Sequence, residues 1–247
     1  MVLKEGDFIR IDYTGKIKGG NVVFDTTSEK VAKESGIFDP QIRFKPSPVV
    51  IGSGHAIKGV DESLVGMEVG EKKTLEVPPE KAYGKRDPSL VKVVPIKDFK
   101  RQGMNPVPGM RFEADGNTGR VQSVGGGRVR VDFNYELAGK TLDYEINIEE
   151  KVNKLEEKIR LLTEIHFPYA DYNEHEITLD NGNVVIVLSE AARVRKEAPV
   201  GKHLLSRDVM KYFDKIQAVE FRELFKREKK EKIKPATKSK KKSKKQK

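Results

Sequence analysis

The sequence predicts an α+β chain: an antiparallel β-sheet wrapped on a short helix, interrupted by an inserted small β domain and followed by a separate α+β C-terminal domain. Three observations carry that prediction. Alternation of period two opens the chain and resumes at Leu142, and a single short helical segment lies in the first part. The strand pattern that ends at VPPEKAYG also restarts in a different form at Val91. One short helix cannot cover both faces of a parallel sheet, so the first sheet is expected to be antiparallel and packed on that helix.

In FIRIDYTG, Ile9, Ile11 and Tyr13 face one way and Arg10 and Asp12 the other, which marks a half-buried strand. After the turn KIKGGN, NVVFDTT completes a hairpin signal. From Pro48, PVVIGSGHAIKG reads as a short apolar strand and a glycine turn; a brief helix with Val60 and Leu64 one turn apart follows, then the strand KKTLEV. Residues 86–135 form a different body. RVQSV and RVRVDF are strands joined by VGGGR, with Val129, Val131 and Phe133 on one face, and the turn clusters NPVPG and DGNTG punctuate the rest. LAGKTLDYEINIEEKV then puts Leu142, Tyr144, Ile146 and Ile148 on one face, as a last strand of the interrupted sheet. The domains expected are therefore 1–85 with 136–152, the insert 86–135, a third region 153–230 and a tail 231–247. In the third region NKLEEKIRLLTEI has helical spacing and EITLDNGNVVIVL is a hairpin turning at Asn181-Gly182. SRDVMKYFDKIQAVEFRELFKREKK reads as one long amphipathic helix with Val209, Tyr212, Phe213, Ile216, Val219 and Leu224 in a stripe. That stripe reads first as core and second as the interface of a homodimer.

The net charge of +10 is not a property of the folded body. Residues 226–247 hold 13 Lys/Arg and two Glu, a net of +11 against the chain's +10, which leaves residues 1–225 at −1. The tail KPATKSKKKSKKQK has little apolar surface to bury and is expected to be disordered; without an interleaved aromatic residue it offers RNA or a ribosome only loose electrostatic attraction. There is no cysteine, so disulfides, thiolate nucleophiles and cysteine zinc sites are excluded. No apolar run approaches the roughly 20 residues that span a bilayer, and MVLKEGDFIRIDY starts directly as a strand, so a cytoplasmic protein without membrane contact is expected.

Other chemistries find little support. VVIGSGHAIKG imitates the start of a dinucleotide-binding turn, but Ile57 stands where only Gly or Ala lets helix and strand pack closely, and no βαβ repeat follows. His55, His166, His175 and His203 are scattered with no pair at ligand spacing, and no nucleophile-elbow pattern is present. Neither a metal nor a cofactor is expected. Tyr83 is more telling: it stands alone in VPPEKAYGKRDPS, the one aromatic residue among residues that bend or break the chain.

Three pieces, DYTGKI at 12, VFDTT at 23 and AIKGVDESLVGMEVGEKKTLEVPPEKAYG at 56, together resemble the FKBP-type peptidyl-prolyl cis-trans isomerases in order and rough spacing. The resemblance covers residues 1–84 and about 136–151. The interruption at AYG, ending in LAGKTLDYEI, is similar to the insert-in-flap module of SlyD-like chaperone-isomerases and of archaeal long forms. The resemblance implies an isomerase of Xaa-Pro bonds in unfolded or nascent polypeptides. Its catalytic residues would be Tyr13, Phe24, Asp25, Ile57, Tyr83 and Tyr144. Ala56 and Val60 would complete the pocket, and Val91, Val93, Val129, Val131 and Phe133 of the insert would hold clients. Val60 stands where the family often has tryptophan, and Tyr144 where it often has phenylalanine, which implies a shallower pocket. Taken alone, Tyr13 and Phe24 would be ordinary core residues. Two rival functions stand beside this one: a holdase with a vestigial pocket, and a ribosome- or nucleic-acid-associated factor acting through the basic tail.

Overall fold

The computed structural model describes residues 2–114 and 116–225. The chain opens with β1 (Phe8–Ile17), β2 (Val22–Thr26), α1 (Glu29–Glu34), β3 (Ser47–Val50), α2 (Lys58–Leu64) and β4 (Lys72–Val77). It continues through β5 (Val91–Pro95), α3 (Ile96–Arg101), β6 (Arg111–Ala114), β7 (Asn117–Gly125) and β8 (Arg128–Asp132), and returns in β9 (Leu142–Val152). Last come α4 (Leu155–His166), β10 (Glu176–Asp180), β11 (Asn183–Val187), α5 (Glu190–Arg193), α6 (Ala198–Tyr212) and β12 (Ala218–Arg222).

The first sheet runs β2-β1-β9-β4, with β3 paired to the start of β1, and every pair is antiparallel. Its central strands are long enough to serve two faces. Ile9, Ile11, Leu142, Tyr144, Ile146 and Ile148 point to a core that α2 closes with Val60 and Leu64, all buried. The sheet is completed by β9, so the chain between β4 and β9 leaves it and comes back. That excursion is a four-stranded antiparallel sheet, β5-β8-β7-β6, with a small core of Phe99, Val121, Val129 and Val131. Phe99 belongs to α3, a helix that the strand-rich pattern of this stretch had hidden.

The third unit is a sheet β10-β11-β12 covered by α4 and α6. Asn181 and Gly182 both take positive φ, 46° and 82°, the backbone a tight two-residue hairpin needs between β10 and β11. The long helix expected from Ser206 onward is not what forms. The helix begins earlier, with a proline in its first turn, and ends at Tyr212; β12 then pairs parallel to β11. Residues 218–222 alternate Val219 and Phe221 inward with Glu220 and Arg222 outward. A period of two wins because β11 offers a ladder to join, and α6 supplies the crossover that a parallel pair requires.

This third unit is not hung on a linker. Phe8, Val50 and Val152 of the first sheet lie in its core, with the Phe8 ring against Tyr212 and Phe213 at centroid distances of 5.5 and 5.6 Å. Beside them Glu164 of α4, almost fully buried, takes Arg10 at 2.8 Å and Lys45 at 2.5 Å. Among the described residues no helix is long and apolar enough to cross a membrane. The Lys-rich tail expected at 231–247 and the end of the third region, 226–230, lie outside the described residues.

Candidate active site

A row of residues crosses the first sheet at one level. Gly15 of β1 pairs with Asp25 of β2 on one side and with Tyr144 of β9 on the other, and Tyr144 pairs in turn with Leu75 of β4. Phe24 and Asp25 are neighbours and a regular strand would send them to opposite faces. The register of β1 and β2 slips here: Gly15 faces Asp25 while Lys16 faces Val23, so Phe24 is the extra residue of a bulge. A bulge re-aims a side chain locally, and both residues serve the same hollow. The Tyr13 hydroxyl donates to Asp25 Oδ2 at 2.7 Å, and the Phe24 ring stands edge-on to Tyr144 at 5.8 Å. Tyr13 lies 6.1 Å from Tyr144, centroid to centroid.

Gly15 is required where it stands. A Cβ there would come within 2.6 Å of the Phe24 ring and 3.1 Å of the Tyr144 ring. Nothing in the string DYTG itself announces this role, which arises only from the rings of two neighbouring strands. The other walls are half-buried: Ala56, Ile57, Leu75, Ala82 and Tyr83 pack against the core at its open end, over a buried Val60. Ile57 sits at the start of α2, where its carbonyl accepts from Val60 and Asp61. Among the described residues its own N–H meets no acceptor, which leaves a backbone donor unused beside the residues of the hollow.

Tyr83 is held by a turn that begins at Pro79, closed by Gly84 N–H on the Pro79 carbonyl at 2.7 Å with Gly84 at φ 79°. The chain returning from the insert passes the same point, since Gly139 N–H donates to the Gly84 carbonyl at 2.8 Å. The Tyr83 ring lies 4.8 Å from Tyr135, a largely exposed residue that sequence reasoning did not single out. Its signal was weak: one tyrosine in the connection FNYELAG. Burial raises the Tyr144 hydroxyl well above its ordinary pKa, helped by hydrogen bonding to Tyr83; burial and the Asp25 carboxylate raise Tyr13 likewise. Burial also raises Tyr83. Three neutral phenols therefore line the hollow as hydrogen-bond donors, with one carboxylate as the fixed acceptor.

The insert residues expected to hold clients divide in two. Val129 and Val131 have no exposed surface and build the insert's own core, because their strand has neighbours on both sides. Val91 and Phe133 are half-buried, and Val93 is exposed. Of these residues Phe133 alone lines a cleft of the insert, about 750 Å³ in volume, that Arg86, Arg111, Arg120, Tyr135 and Glu136 also line; Val129 and Val131 lie outside it. Two of the histidines that are scattered in sequence are not scattered in space: His55 and His166 meet across Asp208.

Residues 2–100 match the family model of the FKBP-type peptidyl-prolyl cis-trans isomerases, residues 92–137 that of the FKBP26 IF domain, and residues 155–226 that of the FKBP26 C-terminal region. The chain is similar to a short-type peptidyl-prolyl cis-trans isomerase of Methanocaldococcus jannaschii, 40% identical over 147 residues that span 60% of this chain and 92% of the relative. It is also similar to an FKBP-type 16 kDa peptidyl-prolyl cis-trans isomerase of Escherichia coli K12, at 31% over 42% of this chain and 72% of the relative. The FKBP-type isomerase SlyD of Vibrio cholerae matches at 31% over 52% of this chain and 65% of its own length.

Proposed function

The chain belongs to the FKBP-type peptidyl-prolyl cis-trans isomerases, and from that premise we propose that the hollow between Tyr13, Phe24, Ile57, Tyr83 and Tyr144 seats the proline while the insert captures the unfolded chain that carries it. Turning a peptide bond crosses about 18–20 kcal/mol, and for Xaa-Pro this takes tens to hundreds of seconds uncatalysed. No covalent bond breaks. The protein needs only to bind the twisted amide more tightly than either planar form. Twisting ends the resonance that makes the amide polar, so a hollow of Phe24, Ile57, Val60 and Tyr144 disfavours the planar states more than the twisted one. The Ile57 N–H and the Tyr83 hydroxyl would hold the substrate's carbonyls. Asp25, fixed by Tyr13 at 2.7 Å, sets a negative charge beside the carbon of the turning bond. A thousandfold acceleration asks for about 4 kcal/mol at 1.36 kcal/mol per decade, within reach of those contacts.

The observation that carries the capture reading is the position of Tyr135. It packs on Tyr83 at 4.8 Å and also lines the cleft of the insert. A chain lying in that cleft is already beside the hollow, so the second encounter is intramolecular, with an effective concentration toward millimolar for a short connection. A tetrapeptide cannot reach both places. Replacing residues 86–134 with a short Gly/Ser linker should leave tetrapeptide isomerisation within about threefold of the parent. On a proline-limited protein refolding reaction it should slow catalysis about ten- to a hundredfold, equivalent to about 1.4–2.7 kcal/mol, and protection of the client from aggregation should disappear. If both substrates lose activity in parallel, the insert only braces the Tyr83 turn and capture is wrong.

A further inference from the structure

We propose that His55, His166 and Asp208 form a binding site for a divalent transition-metal ion, Zn²⁺ by the character of its donors, at the seam between the isomerase sheet and the third unit. Three elements distant in sequence converge there: the glycine turn before α2, the last residue of α4, and the penultimate turn of α6. His166 Nε2 lies 2.8 Å and His55 Nε2 3.8 Å from Asp208 Oδ2, and one ligand atom from each residue falls within 4.8 Å of the others. In a tetrahedral zinc site with bonds near 2.0–2.1 Å, donor atoms stand about 3.3 Å apart. The two short separations bracket that value. Two imidazoles and a carboxylate suit Zn²⁺, Ni²⁺ or Co²⁺ and do not suit Mg²⁺ or Ca²⁺, which take oxygen.

The surroundings hold the three donors in place. Arg207 binds Asp208 Oδ1 at 2.9 Å and leaves Oδ2 aimed at the two rings. The turn carrying His55 is fixed by the buried Asp61, whose carboxylate accepts from Gly52 N–H at 2.8 Å and Gly54 N–H at 3.2 Å. Oriented neighbours of this kind are what a metal site needs around its ligands. His55 and His166 keep 14% and 8% of their side-chain surface exposed, so an ion has a way in, while Asp208 is buried. One contact opposes the assignment: Val50 N–H points at His55 Nδ1 from 3.4 Å. That is a long hydrogen bond, and losing it when the proton moves to Nδ1 is a small cost beside a metal–nitrogen bond. A bound ion would tie the third unit to the turn that leads directly into Ala56 and Ile57.

The test uses the full chain freed of metal. Calorimetric titration with ZnCl₂ should show one ion per chain, and saturating Zn²⁺ should raise Tm. Binding should weaken at least tenfold in His55→Ala, His166→Ala and Asp208→Asn, and stay unchanged in His203→Ala, which alters a solvent-exposed histidine of α6. Loading the unaltered chain with Co²⁺ gives a readout that does not depend on any variant folding. Intense visible bands of a four- or five-coordinate ion support the site. A pale aquo-like spectrum, no heat with Zn²⁺, or binding that survives all three substitutions would overturn it and leave a carboxylate shared by two histidines through their protons.

Discussion

The bulge at Phe24 shows how much a single residue decides. It lets two consecutive side chains act on one hollow, and it places Asp25 where the Tyr13 hydroxyl can hold it at 2.7 Å. Asp25→Ala should therefore lower kcat/KM on an Xaa-Pro peptide about tenfold or more, at least about 1.4 kcal/mol of transition-state stabilisation, with the fold intact by circular dichroism. Tyr83→Phe should cost less, since the ring on Tyr135 stays and only a hydrogen bond goes; the reverse order would assign the main role to Tyr83. A second residue sets a pH limit on the fold. His175 is buried, its Nδ1 accepts from Ser189 N–H at 3.0 Å, and its Nε2 has no partner among the described residues. Burial, with Arg160 nearby, holds its pKa below the ordinary 6.5. The fold favours the neutral ring, so this contribution to stability is complete above 6.5 and is lost as pH falls below it toward the folded value. Denaturant midpoints should drop between about pH 7 and 5, and the drop should be shallower in His175→Asn, which keeps an acceptor but no titrating group. An equal slope in the variant would pass the effect to His55 and His166, whose pKa values burial also lowers. Of these residues Tyr13, Phe24, Asp25 and Tyr83 were legible in sequence because DYTG, FD and AYG are local strings, and Tyr144 because it sits in the alternating strand LDYEI. Gly15, Tyr135 and the meeting of His55 with His166 were not, because their roles arise only across strands or between units.

At the scale of elements, sequence periodicity served well wherever a strand stood against one core. Leu142, Tyr144, Ile146 and Ile148 all turn inward on β9, as their alternation predicts. It failed at residues 206–222, where α6 and β12 follow each other with Val209, Ile216 and Val219 spaced as one helix would space them. A five-residue segment does not carry enough pattern to separate the two periods, and the partner strand β11 decides the outcome. The two readings differ on which side chains are buried. A helix puts Leu224 in the apolar stripe and leaves Phe221 out; the strand packs Phe221 against the third core and leaves Leu224 with 47% of its surface exposed. Phe221→Ala should therefore cost about 1–3 kcal/mol in urea denaturation, less than a fully buried phenylalanine, and Leu224→Ala less than about 0.5 kcal/mol. The opposite ranking would restore the helix. The helix α3 was missed for a related reason: IKDFKR is six residues long between two strands, and its one buried anchor, Phe99, gives no period.

Across the whole molecule the third unit behaves as part of one body with the isomerase sheet, because the outer side of that sheet is apolar. Phe8, Val50 and Val152 have nearly all their surface buried in the third unit's core. Each such side chain gains about 1.5–3 kcal/mol on burial. At the same seam Glu164 holds Arg10 and Lys45, and removing one partner of a buried pair costs about 3–5 kcal/mol because a charge is left uncompensated. A chain ending after Asn153 would expose the three apolar side chains together and leave Arg10 with Glu150, at 3.2 Å, as its remaining carboxylate. The short-type relative has little beyond the part it shares with this chain, since 147 residues of this chain span 92% of its length. Truncation is therefore expected to fail for want of a suitable surface and not for want of a core. The full chain should unfold in one urea transition, whereas residues 1–153 should aggregate or melt well below it. Adding Phe8→Thr and Val50→Thr to the truncated chain should recover solubility, with tetrapeptide isomerisation within about threefold of the full chain, since neither residue faces the hollow. Introduced into the full chain, the same pair should destabilise it by several kcal/mol, the sum expected for two buried apolar side chains turned polar. If residues 1–153 melt at the full chain's temperature without those changes, the seam is a docking contact and the three side chains belong to the isomerase sheet alone.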